Sequence, residues 1–152
     1  MEGSMLKNCQ FQTVFIDTTG TSLSTGSTSY AIVDMKGYDG LCYIGILGSS
    51  DATAKSAGIM PYHGDSSGTF YACTTAYSAY ATTTTVSDGQ LVVVDIQKPT
   101  KRWHSVYAYR ATEGTLIHII AIKYKGRKFP ITQSTASYTG VAASILAVSP
   151  TS

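Results

Sequence analysis

Apolar residues in this chain recur at every second position, in short runs, and no long stretch follows the 3.6-residue spacing of a helix. Trp103 to Tyr109 is the clearest case. Trp103, Ser105, Tyr107 and Tyr109 share one face of such a run, and Arg102, His104, Val106, Ala108 and Arg110 share the other. The same reading predicts strands at Cys9 to Ile16, Ser29 to Met35, Leu41 to Leu47, Ala57 to Tyr62, Thr69 to Thr74, Gln90 to Asp95 and Thr115 to Tyr124. Tyr77 to Thr85 is Thr-rich and ambiguous. Leu41 to Leu47 is nearly all apolar, which predicts a central strand covered on both faces. Pro61 demotes its own run to an edge or a bulge. Turn signals separate the runs: Gly37-Tyr38-Asp39-Gly40, Gly64 to Gly68, Asp88-Gly89 and Glu113-Gly114.

About eight short strands with frequent turns predict an all-β chain, an antiparallel β-sandwich of the jelly-roll kind. A length of 152 residues suits one domain. The sandwich is expected over residues 1–130, with an extended C-terminal tail over 131–152 that packs on the domain or on a neighbour. Composition agrees. Only 13% of residues are charged, while 21 Thr, 18 Ser and 11 Tyr supply the polarity. Thr and Tyr suit a half-buried pleated surface, whereas a helical bundle wants Ala, Leu, Glu and Lys. A net charge of +2 and 43% apolar residues argue against a disordered chain.

Reactive motifs are weak. Gly64-Asp65-Ser66-Ser67-Gly68 matches G-x-S-x-G, but a nucleophile elbow needs a helix after it, and Thr69-Phe70-Tyr71-Ala72-Cys73 reads as a strand. The motif is therefore expected to be a hairpin turn. Cys9, Cys42 and Cys73 lie about thirty residues apart in apolar runs, without zinc spacing, and read as buried thiols of a reducing compartment. His63, His104 and His118 lack metal spacing, and His118 alternates with Leu116, Ile120 and Ile122 as a core or interface residue. The acids sit at strand ends and turns, where Asp caps backbone donors. No catalytic, metal or cofactor site is expected, and the chain reads as a non-enzyme. The N-terminal residues lack the apolar core of a secretory signal, and Val141 to Val148 is too short to cross a bilayer.

Charge is polarised along the chain. Residues 1–97 hold three basic residues against eight acids, a net of −5. Residues 98–128 hold Lys98, Lys101, Arg102, Arg110, Lys123, Lys125, Arg127 and Lys128 against Glu113 alone, a net of +7. These eight residues are the candidate protein interface. Nucleic acid is a disfavoured partner, because alternation sends several of the interleaved aromatics inward. A competing expectation is a carbohydrate-binding sandwich whose Trp103, Tyr107 and Tyr109 stack on sugars, which requires those rings to face outward.

One succession of residues is familiar. Ile32-Val33-Asp34-Met35-Lys36-Gly37-Tyr38-Asp39 leads into Leu41 to Leu47. Val93-Val94-Asp95 follows, then Pro99, Lys101-Arg102-Trp103 and a closing Gly126-Arg127-Lys128-Phe129-Pro130. This succession resembles the capsid cement or head-decoration proteins of tailed bacteriophages that have a jelly-roll domain. The resemblance spans residues 30–130 and implies a non-enzymatic virion protein on the capsid exterior. It further implies the major capsid protein as partner, a dimer or trimer, and passage through the host cytoplasm during assembly. A tail or neck component of the same fold class is the neighbouring alternative.

Overall fold

The alternation is realised as ten strands in a computed structural model that describes residues 8–16, 28–29, 31–49, 57–73, 81–83, 89–110 and 115–126. The strands are β1 (Cys9–Ile16), β2 (Thr28–Ser29), β3 (Val33–Asp34), β4 (Tyr38–Ser49), β5 (Ala57–Ser66), β6 (Thr69–Ala72), β7 (Ala81–Thr83), β8 (Gln90–Gln97), β9 (Trp103–Arg110) and β10 (Thr115–Gly126). They form two antiparallel sheets. The first runs β1-β10-β4-β8, and the second runs β2-β9-β5-β6 with β3 also on β9 and β7 also on β5.

Two of these lines are interrupted strands. Ser29 faces Tyr107 and Val33 faces His104 on the same edge of β9. Four steps on one side thus match three on the other, and the extra residue splits the single strand expected over Ser29 to Met35. Similarly, β6 and β7 lie along one edge of β5, at Tyr62–Ser66 and Ala57–Ile59. Counting each interrupted line once gives eight strands in the orders 1-8-3-6 and 2-7-4-5, the arrangement of a jelly-roll sandwich.

Pro61 occupies a central strand rather than the expected edge. β5 lies between β9 and the β6/β7 line. The Pro61 carbonyl accepts from the Cys73 amide at 3.1 Å, so the backbone of Pro61 points toward that interrupted line. Its missing N–H falls in the gap between the β6 and β7 ladders, where no strand donor is required. One strand start also moves. β4 begins at Tyr38, because the turn tightens onto Gly37 at φ +88°, with the Tyr38 amide donating to the Met35 carbonyl at 3.0 Å. The Gly89 turn (φ +77°) launches β8 as expected. Glu113-Gly114, Arg127, Lys128 and the tail over 131–152 lie outside the described residues, as does most of Tyr77 to Thr85.

The core fills the space between the sheets. Odd positions of the first sheet point inward: Leu41, Tyr43 and Leu47 on β4, Ile117, Ile119 and Ala121 on β10. Val92 and Val94 join them from β8, and Val33, Ile59, Val106 and Ala108 face them from the second sheet. Leu41 to Leu47 is therefore sealed on one face only. Its even positions, Cys42, Ile44 and Ile46, are half-buried, which corrects the expectation of a strand covered on both sides.

Gly45 sets the spacing between the layers. A Cβ there would lie 2.7 Å from Val92 Cγ2 on the neighbouring strand and 3.2 Å from Ile59 Cγ2 of the opposite sheet. Gly45→Ala is expected to overpack the core and cost ~1–3 kcal/mol. Denaturant titration should show a lower midpoint with an unchanged slope. A midpoint equal to wild type would show that the sheets are not in contact there.

Candidate functional site

Five of the eight predicted basic residues, Lys98, Lys101, Arg102, Lys123 and Lys125, have described side chains, and their settings differ. Lys98 and Lys101 sit in the loop between β8 and β9, and Lys98 adopts φ +51°. Lys101 Nζ meets both oxygens of Asp65 at 2.7 and 2.8 Å. Arg102 holds Asp34 through two parallel bonds, Nε to Oδ1 at 2.9 Å and Nη2 to Oδ2 at 2.8 Å. The same guanidinium lies 4.4 Å over the Trp103 ring. Lys123 is buried on the inward face of β10, where Nζ donates to the Asp34 carbonyl at 3.0 Å and sits 4.7 Å from the Tyr38 ring. Lys125 is exposed, 5.7 Å from the Tyr124 ring. Arg110 closes β9, and Arg127 and Lys128 lie beyond the described residues.

Asp34 is thus a hub. Its carboxylate also accepts from the Lys36 amide at 2.9 Å. The Arg102 hydrogen bonds hold its pKa below the usual carboxylate range. Burial pushes the pKa of the Lys123 ammonium downward as well, and the nearby Asp34 charge partly restores it. The sequence pattern gave Asp34 only a strand-end role. Its two long-range partners, 68 and 89 residues away, became visible only with the strand order.

The reactive side chains are subdued. Ser66 ends β5 directly before a two-residue turn, and β6 follows where an elbow requires a helix. Burial raises the pKa of Cys9 and Cys42 and lifts Cys73 to about 11, so each stays a protonated thiol at neutral pH. Tyr43 is fully buried and its hydroxyl has no protein partner. His104 is also buried, beside His63 with ring centroids 6.1 Å apart. Its Nε2 faces the Lys101 carbonyl at 3.1 Å. A carbonyl only accepts, so Nε2 carries the proton and Nδ1 is left without a partner. Among the described residues, no three His, Cys, Asp or Glu converge as a metal site, and no helix is long and apolar enough to cross a membrane.

The outward faces of the two sheets differ in chemistry. On the second sheet, Trp103 and Tyr107 alternate against the buried His104, Val106 and Ala108, so both rings point away from the core. Tyr62 of β5 leans on Tyr107 with centroids 4.0 Å apart at 46°. This is an aromatic patch bordered by Arg102. On the first sheet the outward face is aliphatic. Ile16, Leu91 and Val93 are 56%, 57% and 51% exposed, and Ile44, Ile46 and Ile120 are half-buried between them. At one end of this face the Tyr124 ring crosses Gly40 so that its hydroxyl donates to Asp95 on β8. Sequence alternation placed Trp103 and Tyr107 together. The open aliphatic face was missed because an apolar run reads equally as a strand buried on both sides.

No family model and no curated protein matches the chain. Among solved structures, it is similar to the N-terminal endo-1,4-β-D-xylanase 10B of Clostridium thermocellum, CBM22-1–GH10 modules complexed with xylohexaose, with a TM-score of 0.39 and 9% identity. The match covers 81% of this chain and 27% of that one.

The His104 environment predicts acid sensitivity. Burial, reinforced by the neighbouring His63, lowers its pKa from 6.5 to about 4, against a smaller opposing effect of the Lys101 carbonyl. The folded chain therefore refuses a proton that the unfolded chain takes up between these values. Stability is full above pH 6.5, falls as pH drops toward 4, and levels below that, a loss of roughly 3 kcal/mol in all. Proton NMR of the His104 ring should find it neutral at pH 5.5, and His104→Gln should flatten this limb of the stability profile. A ring titrating near 6.5 would contradict the buried placement.

Proposed function

We propose that this chain is a non-enzymatic virion structural protein, a cement or decoration protein that sits on the outside of a phage capsid and braces contacts between shell subunits. One observation carries the reading: the two outward sheet faces, one largely aliphatic and one bearing an aromatic patch, lie back to back on one sandwich. A protein that joins subunits needs at least two contact surfaces on a stiff body. Here an aliphatic face and an aromatic patch are separated by a sandwich core about 10 Å thick. The resemblance of residues 30–130 to head-decoration proteins points the same way. So does the richness in Ser, Thr and Tyr, side chains that make adaptable contacts at low entropic cost.

In this reading the aromatic patch docks on the major capsid protein. Trp103, Tyr107 and Arg102 are residue types enriched among the anchors of protein interfaces. The charges beside the patch add little net attraction, because Lys101 and Arg102 already engage Asp65 and Asp34.

A second reading has its own observation. Trp103 and Tyr107 face outward, as a sugar platform requires. A platform also needs bare ring faces, yet Arg102 lies over Trp103 and Tyr62 leans on Tyr107. Each ring therefore keeps at most one face for a sugar, whereas the protein-docking reading accommodates this packing without that restriction.

A mass-spectrometric inventory of purified particles should find this chain in a copy number near that of the shell protein. Trp103→Ala should weaken reattachment to stripped particles about 30-fold, the equivalent of ~2 kcal/mol for one aromatic anchor. Absence from particles would sink the proposal, and label confined to the tail or neck would move it there. A change in Trp103 fluorescence on titration with xylo- or cello-oligosaccharides would favour the glycan reading.

A further inference from the structure

We infer that the aliphatic outward face of the β1-β10-β4-β8 sheet is covered by the same face of a second copy of this chain. The inference deepens the proposed role by naming the occupant of one of the two outward faces, and it rests on that role only for its biological purpose. Three features of the face carry it.

The first is extent. Four strands about 4.8 Å apart, each about eight residues long at ~3.3 Å per residue, outline roughly 500 Å² in projection. Two copies pressed together would bury on the order of 1,000 Å², the size at which a contact becomes a specific interface. The exposure is concentrated at the flanks, in Ile16 on β1 and in Leu91 and Val93 on β8, so contact must span the whole width to cover it.

The second is charge. A two-fold interface sets each patch against itself, so any net charge on the patch would meet its own sign. Alternation assigns to this face Ile44, Ile46, Ile120 and Val93, together with Thr13 and the His118 ring, none of them a carboxylate, Lys or Arg. The nearest carboxylate, Asp95, lies at one end, where the Tyr124 hydroxyl donates to it and Lys125 lies close to the same ring. A partner of different chemistry is selected by complementary charge, and this face offers one carboxylate at its end, already engaged by the Tyr124 hydroxyl.

The third is shape. A sheet of this width carries the ordinary right-handed twist, and two such faces pack well on each other at about −30°. The core pattern of Leu, Ile and Val is repeated, in thinner form, on the outer side of β4 and β10.

Sedimentation equilibrium of the full chain should give a particle of twice 16.1 kDa at micromolar concentration. Val93→Lys places a charge on the exposed flank without disturbing the core, and should weaken self-association at least tenfold while circular dichroism stays unchanged. Ser67→Lys, at the exposed tip of the β5–β6 hairpin, should leave it unaltered. Cys42 lies on the same face, and its alkylation by a maleimide should slow as concentration rises through the dimer range. A monomer across that range, a threefold mass, or a Val93→Lys variant that still pairs would each overturn the inference. So would Cys42 protection that ignores concentration and is lost in a full-length Ile145→Lys/Leu146→Lys variant, which would assign the face to the chain's own C-terminal stretch. A monomer that still binds particles would remove the pairing alone. A dimer that never binds them would remove the decorating role alone.

Discussion

A buried ammonium closes one end of the sandwich. Lys123 points inward from β10, in the first sheet, and donates to the main-chain carbonyl of Asp34, in the second. The Asp34 carboxylate meanwhile clamps Arg102 at the entrance to β9 and the amide of Lys36 in the next turn. One residue thus ties two sheets, a loop and a turn. A lysine in such a place is costly unless it is paired, and here the carbonyl and the Tyr38 ring face share its charge. The geometry fixes the register of the short β3 strand, which has only two residues of ladder to hold it.

From that fixed end, side-chain alternation determines the rest. Once Lys123 points inward, Ala121, Ile119 and Ile117 must follow, and His118, Ile120 and Ile122 must face outward. Pairing across to β4 and β8 carries the same parity to Tyr43 and Val94, and with it Ile44 and Val93 to the outside. The aliphatic outer face is thus a direct consequence of a twofold period applied to strands that are apolar at both parities. An ordinary one-sided sheet would carry Thr, Ser or Lys there. Among the described residues, this sheet places only Thr13 of that kind there, beside Ile120, with the His118 ring as the other polar group in the middle of the face.

The strands were legible because their signal is local. β1 matches the predicted Cys9 to Ile16, and β9 differs from its prediction by one residue. Where pairing with distant strands decides the outcome, the local signal fails. Pro61 looks like an edge marker because a proline lacks a ladder donor. Yet it sits in a central strand, because the neighbouring line is broken opposite it, between the β6 and β7 ladders. Ser29 to Met35 looks continuous because its split comes from one extra residue measured against β9. The jelly-roll order is likewise non-local. The outward direction of Trp103 and Tyr107 was readable as a shared face, but which face met water required knowing that Val106 and Ala108 meet Ile59 and Val33.

The polarised charge of the sequence acquires a different meaning in this topology. A jelly roll interleaves the two halves of its chain: β9 lies between β5 and the β2/β3 line, and β10 lies between β1 and β4. Every late strand is therefore flanked by early ones. Acids concentrated early and bases concentrated late are brought together by the fold itself, as Asp65 with Lys101 across 36 residues and Asp34 with Arg102 across 68. Like charges within each half disfavour pairing of a half with itself, and opposite charges favour the interleaved order. Part of the −5/+7 split that looks, in one dimension, like a docking surface for a partner is consumed within the molecule. In the proposed role, contact with other subunits is therefore assigned to rings and aliphatic side chains rather than to these paired charges.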